Sequence, residues 1–170
     1  MTPLRATLGA IALLMAALPA GAAARQADAI THSKRLWATV NVCDTVGHPD
    51  SIGIRGSMPG SGDKAEVMFI RFQVQVSDQT DAHWHNLAGA DSGFVALGSG
   101  RAKVRQSGNT FTITPPRAGA APYLLRGMVT FEWREDGAVV RRARRSTTVA
   151  HPNTAGSDPA GFSAATCSIT

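Results

Sequence analysis

Three groups of side chains have the type and spacing to do chemistry: His83-Trp84-His85, Arg141-Arg142-Ala143-Arg144-Arg145, and the pair Cys43 and Cys167. The two imidazoles stand at positions i and i+2. On a strand they point to one face and can reach one metal ion. Such a site needs a third ligand, for which His48, Asp50, Asp81 and His151 have the right chemistry. The competing reading is a polar loop. Asp78, Thr80, Asp81 and Asn86 surround the pair, leaving two solvated imidazoles beside a core Trp84.

The four arginines are candidates for holding an anionic polymer such as a cell-wall or extracellular polysaccharide. On a strand, Arg141 and Arg145 face one way and Arg142 and Arg144 the other, so the charge divides between two faces. Glu132, Glu135 and Asp136 are near enough in sequence to pair with some of it. Charge of this density also keeps an exposed strand edge from pairing with another chain.

Catalytic signals are thin. Ala90-Asp91-Ser92-Gly93 resembles a serine-protease nucleophile segment, but Phe94 replaces the second glycine and no matching His segment precedes it. Gly-x-Ser-x-Gly and His-Glu-x-x-His do not occur. Only Glu66, Glu132 and Glu135 are available for a glycosidase carboxylate pair. Met58-Pro59-Gly60-Ser61-Gly62 lacks the Lys of a phosphate loop and reads as a plain loop. The expectation is no enzyme and no cofactor, with a small hydrolase the remotest alternative.

The chain has 170 residues, 44% hydrophobic and 17% charged, enough for one domain with its own core and too apolar for general disorder. Residues 1–29 read as a cleaved secretory signal peptide. Arg5 supplies the positive start, Leu8 to Leu18 the apolar stretch, and Ala22-Ala23-Ala24 or Ala27-Asp28-Ala29 the small-residue cleavage site. The competing membrane anchor is too short and too rich in Ala and Gly. The expected product is secreted, extracellular or periplasmic, with no membrane span after cleavage.

Cutting after Ala29 leaves 15 basic and 11 acidic residues, a net charge of +4. That is mildly basic and, without an aromatic stacking platform, a poor match to nucleic acid. The expected partner is instead an envelope component or an extracellular protein or polysaccharide. Export also favours pairing of Cys43 with Cys167, the alternative being two free thiols.

The elements that must position these groups are strands. In Val67–Ser77 the even positions Met68, Ile70, Phe72, Val74 and Val76 are apolar, while Arg71, Gln73 and Gln75 alternate with them. Tyr123–Arg134 repeats the pattern on odd positions, including Val129, Phe131 and Trp133. Asp136-Gly137 marks a tight turn into a partner strand, Val139–Val149. Leu36–Cys43, Ser51–Arg55 and the short Phe94–Leu97 read as further strands. A hairpin is expected from Ala102 to Thr114, turning at Ser107-Gly108-Asn109. Residues 30–35 read as a short flexible lead-in, residues 155–161 as a loop, and residues 36–170 as one domain. Seven or eight strands with no helical periodicity predict an all-β antiparallel sandwich.

Trp37-Ala38-Thr39-Val40-Asn41-Val42-Cys43-Asp44, Phe69-Ile70-Arg71-Phe72-Gln73-Val74-Gln75, Arg126-Gly127-Met128-Val129-Thr130-Phe131-Glu132-Trp133-Arg134 and Ser163-Ala164-Ala165-Thr166-Cys167 carry a resemblance. They resemble small exported bacterial proteins of largely uncharacterised role, with an immunoglobulin-like or fibronectin-type-III-like sandwich. The resemblance implies the fold and brings no catalytic residues. A bridge from the first strand to the C-terminal tail would depart from the immunoglobulin pattern, and Tyr123 could stand as a tyrosine corner or as a plain core residue. The expected role is a non-catalytic exported binding or structural module, with metal binding through His83 and His85 as the alternative.

Overall fold

The computed structural model describes residues 29–77, 83–151 and 154–170. The expected signal segment therefore lies almost wholly outside the described residues, as do Asp78, Thr80 and Asp81. The strands are β1 (Trp37–Thr45), β2 (His48–Pro59), β3 (Glu66–Ser77), β4 (Trp84–Ser99), β5 (Val104–Thr112), β6 (Tyr123–Glu135), β7 (Ala138–Ser146) and β8 (Cys167–Ile169). They form an all-β antiparallel sandwich. One sheet has the order β1-β2-β5; the other has β4-β3-β6-β7, with β8 also paired to β6. The fourth strand lies beside the third, a fibronectin-type-III-like placement; in constant-type immunoglobulin domains it joins the opposite sheet.

Period-2 alternation builds the core. Met68, Ile70, Phe72 and Val74 of β3 and Val129, Phe131 and Trp133 of β6 are all at most 1% exposed. They meet Val40, Ile52, Ile54 and Met58 from the other sheet. Trp133 satisfies its indole N–H on the carbonyl of Pro59 at 3.1 Å. Between β6 and β7, Asp136 (φ 48°) and Gly137 (φ 82°) make the tight turn that the dipeptide predicts.

Three local expectations change. β5 runs unbroken through Ser107-Gly108-Asn109, so no hairpin forms there. Gly108 is needed for close approach instead: a Cβ on it would lie 2.9 Å from the carbonyl oxygen of Ile54 on β2. Met58 and Pro59 complete β2, and Met58 is fully buried, so the loop starts only at Gly60. Phe94–Leu97 belongs to the sixteen-residue β4, which is bent where Gly89, Gly93 and Gly98 take positive φ.

Cys43 and Cys167 form a disulfide with Cα atoms 5.4 Å apart. It links β1 of one sheet to β8 of the other. The C-terminal segment also covers the outer edge of β1. Val40 and Ala164 exchange both backbone hydrogen bonds, and the Asp158 N–H donates to Asn41. This removes an open edge. At the other end of the chain, Ile30 packs into the core, and Arg145 donates to the carbonyl of Thr31.

Candidate functional site: the outer face of the five-stranded sheet

The outward positions of β3, β4, β6 and β7 carry most of the polar side chains that could meet a ligand. Register aligns them in rows. Phe94, Arg71, Thr130 and Arg144 lie side by side across the four strands, and Phe69, Glu132 and Arg142 form the next row.

Glu132 anchors the face. It is 0% exposed although it points away from the core, because arginines cover it. Arg134 reaches one carboxylate oxygen at 2.6 Å and Arg142 the other at 2.5 Å. The Arg134 guanidinium lies 4.3 Å from the Phe69 ring centre and 4.6 Å from that of Phe94. Arg71 grips Asp91 through two nitrogens, and this hydrogen bonding holds the Asp91 carboxyl below its usual range. Arg126 sits 4.2 Å above the Trp84 ring and donates to Gln75 at 2.9 Å; burial lowers its pKa. Guanidiniums stacked on rings and tied to carboxylates have few rotamers left to lose on binding.

The balance of charge is uneven. Among the described residues, Arg71, Arg126, Arg134, Arg142 and Arg144 share this face with only Asp91 and Glu132. Arg144 is exposed and makes no ion pair among the described residues. Beside it lies a shallow depression of about 320 Å³, lined by Arg71, Gln73, Asn86, Phe94, Arg142 and Arg144, among others.

The arginine run divides as its alternation predicts. Arg142 and Arg144 join the outer face. Arg141 pairs with the buried Glu66, and Arg145 with the lead-in backbone. β7 is an edge strand of its sheet, where such charge also guards against unwanted pairing.

His83 precedes β4 and His85 lies within it; both are exposed. Among the described residues no group of three or more His, Cys, Asp or Glu is placed to hold a metal ion. His48 pairs instead with Asp158 at 3.0 Å, and His151 stacks on Trp37 with ring centres 4.2 Å apart. Asp50 lies on β2, near the hairpin that joins it to β1, with its N–H bound to the Asp44 carboxylate. Ser92 accepts the Phe72 N–H and donates to the Gly93 carbonyl, with no histidine in that network. Glu66 and Glu132 line different cavities. Tyr123 is 36% exposed at the seam between the sheets.

Sequence reasoning missed Phe69, Phe94, Arg71, Arg126 and Arg134 as parts of one surface. The available signal was Phe69, an aromatic residue out of phase in the polar register of β3.

Fold and site together define a class: a disulfide-stapled β-sandwich presenting a cationic, aromatic-braced sheet face. No protein-family model matches the chain, and no curated protein does. Among solved structures it is similar to a glycosyl hydrolase family 2 (GH2) member from Bacteroides cellulosilyticus, at 16% identity and a TM-score of 0.35. That likeness covers 70% of this chain and 15% of the other, and it carries no argument about activity.

Proposed function

We propose that the protein is an exported, non-catalytic binding module of the cell envelope or extracellular space, holding an anionic partner on the outer face of the five-stranded sheet. The observation that carries this reading is the excess of guanidinium over carboxylate on that face among the described residues, where Arg144 makes no ion pair beside Arg142 and Arg71. A partner bearing carboxylates or phosphates would complete the charge, and the bracing of Arg71 and Arg142 limits the entropy lost on binding. The disulfide supports export, since such bonds persist in oxidising compartments. No helix among the described residues is long and apolar enough to cross a membrane.

The test is co-sedimentation with isolated envelopes of the source cells over a salt series, alongside Arg142→Ser/Arg144→Ser. Retention should fall as salt rises, and the variant should lose at least about fivefold at low salt. Salt-independent retention by both proteins, or no retention of either, would contradict the reading.

A further inference from the structure

We propose a second binding site, independent of the sheet face, at one end of the sandwich. It would take a monoanionic, hydroxyl-rich ligand of sugar size, that is, a sugar carrying one carboxylate. An open depression of about 500 Å³ lies there between the loop after β2 and the loop between β4 and β5. Its lining is Ser61, Gly62, Asp63, Lys64, Glu66, Arg101 and Arg141. The volume falls in the range of small-molecule sites.

The two loops are locked together. The Gly62 N–H donates to the Gly100 carbonyl at 2.9 Å, and the Gly100 N–H to that of Glu66 at 2.7 Å. A Cβ on Gly60 would sit 1.8 Å from the Ala102 carbonyl oxygen, and one on Gly100 would sit 2.7 Å from that of Asp63. Side chains are excluded at both positions, so the walls approach more closely than other residues allow. Arg141 is held in place by Glu66, itself 3% exposed.

The lining selects the ligand. Every side chain in it is polar or absent, which disfavours lipids and aromatic compounds. Lys64, Arg101 and Arg141 stand against Asp63 and Glu66, leaving one positive charge. One Glu66 carboxylate oxygen is held by Arg141 while the other is buried without a hydrogen-bond partner among the described residues, and one Asp63 carboxylate oxygen accepts the Ala65 N–H at 2.9 Å. Lys64 and Arg101 are exposed and make no ion pair among the described residues, so they are the groups open to a carboxylate. The two acidic residues weigh against a doubly charged phosphate ester. The other Asp63 carboxylate oxygen suits a neutral hydroxyl partner.

The same chemistry occurs in a free sugar acid and in a residue of an acidic polysaccharide. The experiment is amide chemical-shift mapping on the disulfide-bonded protein with D-glucuronate, trigalacturonate, D-glucose and inorganic phosphate. Glucuronate should give saturable shifts confined to residues 60–66 and 99–103. Lys64→Gln/Arg101→Gln should weaken that binding at least tenfold, whereas Arg142→Ser/Arg144→Ser should leave it unchanged. Tighter binding of trigalacturonate at the same amides would assign the polymer; equal binding would assign the free acid. Absence of saturable shifts with either acid, or equal shifts with phosphate or glucose, would overturn the proposal.

Discussion

Glu132 shows how one side chain organises a surface. A carboxylate with no exposed area and an arginine on each oxygen holds two guanidiniums at fixed positions. Replacing Glu132 with Gln leaves both cations without their counter-charge. A loss of about 1–3 kcal/mol is expected in urea unfolding, moderated because Arg142 is 59% exposed. A second residue-scale prediction concerns His151, whose pKa burial lowers from its ordinary 6.5. Below pH 6.5 the unfolded chain then binds more protons than the folded one, so stability falls as pH drops towards the folded-state pKa and levels off beneath it. Urea midpoints between pH 7.5 and 5 should decline, and His151→Phe, which keeps a ring for Trp37 to stack on, should flatten that decline. Asp158 acts in a lower window: Thr45 and His48 hold its pKa below 3.8, so its contribution disappears only as pH falls past that value.

At the scale of elements, Gly108 carries a clear expectation. Gly108→Ala brings a Cβ within 2.9 Å of a backbone oxygen on β2, where the neighbour cannot rotate away. A loss of about 1–3 kcal/mol is expected in the same unfolding assay. The residue also marks what was legible in the sequence. The strands around Ile70 and Phe131, and the turn at Asp136-Gly137, follow from alternation and turn chemistry, which act within a few residues. The role of Gly108 depends on a neighbouring strand more than fifty residues away, and composition alone reads it as a turn. For the same reason β8, three residues long, gave no periodic signal of its own. The candidate face was half legible. The split of Arg142 and Arg144 from Arg141 and Arg145 follows from strand geometry, but the carboxylate of Glu132 that holds Arg142, and the rings of Phe69 and Phe94 that hold Arg134, come from β6, β3 and β4. His83 and His85 carried a local pattern for metal, and the other proposed described ligands, His48, Asp50 and His151, are engaged or placed elsewhere.

For the whole molecule, the disulfide and the sheet face are separate devices. The Cys43–Cys167 link spans 124 positions and joins the two sheets near the chain's C-terminus. By restricting the unfolded chain it contributes at most about 5 kcal/mol. Cys43→Ser/Cys167→Ser should therefore lower stability by about 2–5 kcal/mol by denaturant titration, while leaving the affinity of the folded protein for envelopes unchanged. The exposed arginines of the sheet face behave oppositely: changes at Arg142 and Arg144 should alter binding with little effect on stability. The most direct test of an anion-binding sheet face is the low-salt affinity of Arg144→Glu for isolated envelopes, beside the unmodified protein. Reversing this exposed charge should weaken retention at least tenfold with the urea midpoint unchanged. Equal retention of the two proteins would contradict it.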